Sequence, residues 1–315
     1  MFCVVELDDW IRGESDPSGD EAKRWFRAPE QSPLVGHWLF KPRTEKVLPL
    51  SKKRQALGHH PDVLIGGENW AEKIAFELAR LIAIPAAETE LATAPQTTDS
   101  RRVWGSISRD MRPEGWSWAP GAQLLAEVDS HFDEKFCVGH TLEAVRDVLD
   151  GISGPYGGFY MGWSAFDVWV SYLLLDAWIG NTDRHAHNWG VVQHPATGDI
   201  YLGPSFDHGT SLASGETDDR RATRVEEGSV TVWCARGRTK RFYGGEPHDL
   251  VDLATRALSM CSAAARQHWV GQLIAVDLDE CRELVERVPR MSDHTCIFVQ
   301  TAITLNRKRL CDALH

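Results

Sequence analysis

Apolar and polar positions follow one period in the first third of the chain and another beyond it. Residues 2–7, 37–41, 86–94 and 102–108 are short apolar or alternating runs rich in β-branched and aromatic residues, which predicts strands. Pro42 closes the second of them. Between them, residues 69–83 carry Trp70, Ile74, Leu78 and Leu81 at three-to-four spacing, which predicts an amphipathic helix. Together these elements predict a small antiparallel sheet carrying one helix. Residues 12–20 and 43–67 are polar and dotted with Gly, Ser, Asp, Pro or Lys, and read as loops. After residue 108 the composition changes to Met-Arg-Pro-Glu-Gly-Trp and the pattern becomes helical. That change sets a boundary between a β-rich unit over 1–108 and a larger helical unit over 109–315.

In the second unit, residues 124–128 and 141–149 are amphipathic, the latter opening on the cap former Thr141. Residues 166–179 are apolar nearly all round. Such a stretch predicts a buried helix, and with Asp167 and Asp176 inside it is too short and too charged for a membrane span. It runs into DAWIGNTDRHAHNWGVVQHPATGDIYLGPSFDHGTSL, residues 176–212. There, apolar runs 189–192 and 200–202 flank Pro195-Ala196-Thr197-Gly198, which predicts a hairpin. The strongly charged residues 215–225 read as a flexible connection. Residues 247–315 contain four helical patterns, the last opening near Ser292 and carrying Ile297, Ala302, Leu305 and Leu310.

The hairpin is where the chemistry concentrates. Antiparallel pairing brings Asn188, just before its first strand, close to Asp207, just after its second. Asp183 lies ahead of both in the loop after the buried helix. Two carboxylates and an amide oxygen at one sheet edge can hold a metal-bound phosphate chain and an attacking hydroxyl. Turn loops also collect Asp and Asn for backbone reasons. A second chemistry is open at the same place: His185, His187 and His208 with Asp207 form a donor set for a metal-dependent hydrolase.

Several charged residues elsewhere have two readings each. Lys41 closes an apolar strand, as snorkelling edge lysines do. Glu72 and Glu77 lie on the predicted helix, and either can pair with a lysine or stay in solvent. Lys23 follows a Gly19-bearing loop and is placed to meet phosphate or solvent. Arg236, Arg238, Lys240 and Arg241 cluster on an otherwise acidic chain, suited to gripping a phosphate or an acidic substrate segment, or to a solvated loop.

With 315 residues, 43% hydrophobic and 25% charged, the chain has the composition of an ordinary globular protein. Its net charge of −11 argues against nonspecific nucleic-acid binding, which needs a basic field. The seven cysteines are odd in number and form no Cys-x-x-Cys pair, which suggests neither a disulfide framework nor a cysteine zinc site. Early acids at Glu6, Asp8 and Asp9 argue against a signal peptide, and a reducing cytoplasm is the expected location. The 13 tryptophans are scattered without a period and read as packing residues.

The segment GNTDRHAHNWG followed by GPSFDHGTS resembles the HipA-type serine/threonine kinases, and more distantly the phosphatidylinositol 3- and 4-kinases, whose loop carries a similar Asp-Arg-His-x-x-Asn. The stretch WAEKIAFELARLIAIPAAE is similar to a helix of HipA-like kinases. The resemblance implies an α+β, two-lobed protein-kinase-like fold with a β-rich N-lobe and a helical C-lobe. It implies ATP as donor, Mg2+ as cofactor and a Ser or Thr hydroxyl on a protein as acceptor. Under it, Asp183 is the catalytic aspartate, His185 braces its loop, and Asn188 and Asp207 hold magnesium. Lys41 meets the α- and β-phosphates, and Glu72, favoured over Glu77, orients it. Lys23 belongs to the phosphate-covering loop, where Ser15 and Ser18 are autophosphorylation candidates. The main chain at Ser106, Ile107 and Ser108 would meet adenine. Ser-Phe-Asp-His stands where conventional protein kinases have Asp-Phe-Gly, so their activation-loop switch is not implied. An antitoxin or other regulatory partner, without direct nucleic-acid or membrane contact, completes the expectation. A nucleotide-binding pseudokinase module is the remaining alternative.

Overall fold

The computed structural model of the chain describes residues 1–16, 23–49, 63–95 and 101–315. In chain order the first part forms β1 (Val4–Glu6), β2 (Ile11–Asp16), β3 (Lys23–Arg27), β4 (His37–Pro42), β5 (Glu45–Val47), β6 (Val63–Ile65), α1 (Glu68–Leu81), β7 (Thr89–Pro95) and β8 (Arg102–Arg109). The main sheet has the order β1-β7-β8-β4-β3-β2. Side chains alternate across it. Phe26, Trp38 and Phe40 therefore turn to one face, where they pack with Leu7, Trp10, Ala92, Ala94 and Ile107 in a small core. Lys23, Trp25, Leu39 and Lys41 are left for the opposite face.

Three expectations for this region need correction. The sheet is mixed, because β1 pairs parallel with β7 (Val4 opposite Leu91) while the other pairings are antiparallel. An edge strand can add in either direction, and its local sequence carries no sign of which. The first half of the expected loop over 12–20 is β2, an edge strand with an irregularity between Arg12 and Ser15; Arg12 and Glu14 are exposed on this sheet edge, and the strand has no apolar period. Ser18 and Gly19 lie outside the described residues. The connection over 43–67 contains the β5–β6 ribbon, with Glu45 opposite Ile65.

Helix α1 buries Ile74, Ala75 and Leu78 in a second, larger core shared with the helical part of the chain. A buried lysine anchors it to β7. Lys73, 2% exposed, donates from Nζ to the Thr89 carbonyl (3.0 Å) and meets Glu77 at 2.7 Å and Glu90 at 2.8 Å. Burying that ammonium is tolerable only because every contact neutralises or satisfies it.

The rest of the chain forms β9 (Ser117–Pro120), α2 (Gly121–Val128), α3 (Leu142–Val148), α4 (Ala165–Ile179), β10 (Gly190–Gln193), β11 (Ile200–Leu202), α5 (Asp218–Glu226), α6 (Val230–Ala235), β12 (Arg238–Thr239), β13 (His248–Asp249), α7 (Leu250–Met260), α8 (Ala263–Ala275), α9 (Leu278–Glu286) and α10 (Asp293–Leu314). No helix of the described residues is long and apolar enough to cross a membrane. Helix α4 is the centre: all its residues except Asp167 are buried, as its lack of a polar face requires. Gly180 ends it with φ +68°, and a Cβ there would lie 2.8 Å from the Trp233 ring, so both backbone and packing demand glycine. The predicted hairpin is β10–β11, with Val191 opposite Leu202. Sequence reasoning missed β9, which adds to β10 on the other side.

The charged stretch over 215–225 is a helix for most of its length. Thr217 caps α5 by accepting from the Arg220 N–H, Asp218 and Asp219 sit in its first turn and Arg224 in its last, so the charges complement the helix dipole. A high charge density concealed that order.

Candidate active site

Strand β4 and helix α1 fix the upper half of the site. Because Trp38 and Phe40 point into the small core, Lys41 emerges on the far face, beside α1. Its Nζ donates to Glu72 Oε1 at 3.2 Å and to Asp207 Oδ1 at 2.8 Å. Glu72 is 3% exposed, and its second oxygen accepts the backbone N–H of His208 at 3.0 Å. Glu77 is occupied by Lys73 and Arg80, so Glu72 is the partner of Lys41. Lys23 reaches the other oxygen of Asp207 at 4.0 Å.

Burial alone would push the Lys41 ammonium down, but the Asp207 and Glu72 carboxylates outweigh it and hold the group above its ordinary range. Burial likewise opposes charge on Asp207, and the Lys41 and Lys23 ammonium groups hold its carboxyl well below the usual range. The two groups thus stay a charged pair. Asp207 adopts φ +60°, a left-handed conformation that short polar residues accept most readily outside glycine.

The lower half is built on Arg184, which is 1% exposed. Its guanidinium donates to both oxygens of Asp176 at the end of α4 (2.7 Å each), to the carbonyls of Asn188 (2.6 Å) and Phe206 (3.2 Å), and to Ser205 Oγ (3.0 Å). One side chain therefore ties together the helix, the loop and the segment leading to Asp207. Asn188 gives its amide N–H to the Asp183 carbonyl at 2.8 Å, which leaves its side-chain oxygen as the free donor atom. The Asp183 backbone N–H is held by Asn181 Oδ1 at 3.2 Å. Arg241 Nε contacts Asp183 Oδ1 at 2.6 Å.

Between the halves is a cleft of about 720 Å³, a size usual for a small-molecule site. Lys23, Lys41, His185, Asn188 and Asp207 line its polar end. Leu39, Met111, Trp118, Pro120 and Phe206 give it apolar walls, with Trp118 edge-on to Phe206 at 5.6 Å. Burial pushes the His185 imidazole below its ordinary value against the pull of Asp183. Its Nδ1 accepts the His187 backbone N–H at 3.2 Å, which bends the loop.

Ser106, Ile107 and Ser108 do not meet the cleft as expected. They lie in the middle of β8, opposite Lys41, Phe40 and Leu39 on one edge and Leu91, Glu90 and Thr89 on the other, so their main chain is consumed by two ladders. The residues that follow, Asp110, Met111 and Arg112, border the cleft instead.

The histidines do not converge. His208 is 3% exposed, with Nε2 2.7 Å from Ser205 Oγ, while His187 pairs with Glu134 at 2.8 Å. Among the described residues no three His, Cys, Asp or Glu side chains form a cation-holding group. Asp207 and Asn188 both line the cleft, and carboxylate and amide oxygens are hard ligands of the kind magnesium prefers. Arg184 and Trp118 were the participants that sequence reasoning missed, and His208, expected only as a metal donor, instead gives its backbone N–H to Glu72.

No protein-family model and no curated protein sequence matches the chain. Among solved structures it is similar to the proinflammatory kinase CtkA of Helicobacter pylori, with a TM-score of 0.71 and 14% identity over 99% of this chain and 97% of that one. It also aligns with HipA in the HipA, HipB and operator DNA complex of Shewanella oneidensis MR-1 (TM-score 0.44, 10% identity, 97% and 69% covered) and with the golgi casein kinase (TM-score 0.47, 12% identity, 99% and 73% covered). The likeness to CtkA carries the fold assignment: the chain has a two-lobed, α+β kinase-like fold.

Proposed function

We propose that the protein is an ATP-dependent kinase that transfers the γ-phosphoryl group to a serine or threonine hydroxyl, on a protein. The observation that carries this reading is Lys41 bound to Glu72 and Asp207 at once, across the two halves of one cleft, with Asn188 and Asp183 joined beside it. Lys41 and Lys23 supply positive charge for the phosphates. Leu39, Trp118 and Phe206 offer the apolar walls a planar base needs.

Asp207 and the Asn188 oxygen are the residues that would hold magnesium, which would supply positive charge to neutralise the phosphate chain. Glu72, with both oxygens engaged, fixes where the Lys41 ammonium stands. Asp183 orients the acceptor hydroxyl and accepts its proton at the oxygen that Arg241 leaves free. The hydroxyl oxygen bonds to the γ-phosphorus as the bond to the β–γ bridging oxygen breaks, and ADP leaves. Catalysis on this plan rests on positioning and charge.

The test is incubation with γ-labelled ATP and magnesium, with and without protein extracts, followed by phosphoamino-acid analysis. Label on phosphoserine or phosphothreonine, dependent on Lys41 and Asp183, is the expected result. Absence of transfer to any protein, including the enzyme itself, would refute the reading.

A further inference from the structure

The basic run over 236–241 is held rigidly against the catalytic loop. Gly237 N–H caps α6 on Cys234, the Gly237 carbonyl accepts from Leu250 N–H at 3.1 Å, and β12 pairs with β13. Thr239, 2% exposed, donates its hydroxyl to the Thr182 carbonyl at 2.9 Å, next to Asp183. The buried His140 ring stacks on Phe242 at 4.2 Å and bonds the Arg241 carbonyl at 2.6 Å. Thr239 points inward, so its neighbours Arg238 and Lys240 are directed to the solvent face.

Arg236, Arg238, Lys240 and Arg241 are all exposed. Among the described residues no salt bridge takes up Arg236, Arg238 or Lys240, on a chain where 45 acidic residues face 34 basic ones. Two acids of this region are engaged elsewhere: Asp249 caps α7 and pairs with Arg309, and Glu143 pairs with Arg256. Arg241 alone has a carboxylate, and it is the one that the transfer requires.

We infer that this segment is the acceptor-recognition element and that it selects a protein segment carrying acidic residues beside the Ser or Thr. The inference rests on the proposed kinase function. Cations pre-set on a fixed backbone attract a flexible acidic chain without first having to be ordered themselves. A glutamate of the acceptor competing for Arg241 would also release Asp183 for the hydroxyl, so the same contact recruits the substrate and frees the base.

The experiment has two arms. In the first, a fluorescent peptide with one Ser among Glu residues is titrated with the full-length protein by anisotropy, beside its Gln counterpart and a single-stranded oligonucleotide of equal charge. The Glu peptide should bind at least about tenfold tighter than the Gln peptide, less so at high salt, and the triple change Arg236→Ser, Arg238→Ser, Lys240→Ser should abolish the difference. Equal binding of both peptides, an unchanged preference in the variant, or tighter binding of the oligonucleotide would overturn the inference. In the second arm the same peptides are offered with γ-labelled ATP and magnesium. Selective binding without any phosphoryl transfer upholds the recognition surface and sinks the kinase reading, whereas equal transfer to both peptides sinks the inference alone.

Discussion

Arg184 holds both carboxylate oxygens of Asp176 at 2.7 Å, with each side chain 2% exposed. The pair locks the end of the most buried helix to the loop that carries Asp183 and Asn188. Replacing Arg184 by Met would leave Asp176 buried without its counter-charge and would free two backbone carbonyls. Arg184→Met should therefore lose about 3–5 kcal/mol of unfolding free energy in urea. A loss under about 1 kcal/mol would mean that the loop is held by something else.

Lys41→Met should abolish turnover and, because it strips the counter-charge from Glu72 and Asp207, lower the melting temperature without unfolding the chain, since Lys41 contributes nothing to either core. Glu72→Gln should act in the same direction but more weakly, because it orients the ammonium. Glu77→Gln should leave turnover close to wild type, since Glu77 binds Lys73 and Arg80. Steady-state rates beside melting temperatures decide the matter, and a larger kinetic defect in Glu77→Gln than in Glu72→Gln would reverse the assignment.

Burial pushes the His140 imidazole down to about 4 from its ordinary 6.5. Both ring nitrogens are used in the neutral form, Nε2 accepting from the Trp189 indole at 3.2 Å and Nδ1 facing the Arg241 carbonyl at 2.6 Å. Between those pH values the unfolded chain binds more protons than the folded one, so stability is lost as pH falls through the window, by about 3 kcal/mol from this group. Urea unfolding near pH 7 and near pH 4.5 should show that loss in wild type, and His140→Asn should lose about 2–3 kcal/mol less across the same interval. Identical pH dependence in the two proteins would show that the ring titrates normally.

The sequence was most informative where chemistry depends on local order. The nearly all-apolar α4 and the β10–β11 hairpin are features of neighbouring residues, and they stand as expected. Lys41 was legible too, because strand alternation alone sends it away from Trp38 and Phe40. What stayed hidden depends on partners far along the chain. Glu72 receives the His208 N–H from 136 residues away, and Arg241 meets Asp183 across 58. The position of Ser106, Ile107 and Ser108 was hidden for the same reason: whether a strand is central or at an edge is set by its neighbours, and β8 is central. The charged helix α5 and the short strand β9 lacked the apolar period that marks an element, though the Thr217 cap was available to be read.

The central claim is that Asp207, and not the histidines, controls the reacting phosphate. The most direct measurement is the single-turnover rate of label transfer from γ-labelled ATP with magnesium, for wild type, Asp207→Asn and His187→Ala side by side. Asp207→Asn should slow transfer by about a thousandfold, near 4 kcal/mol of transition-state stabilisation, while His187→Ala, whose ring pairs with Glu134, should stay within a few-fold of wild type. Undiminished transfer in Asp207→Asn, or its collapse in His187→Ala alone, would contradict the account.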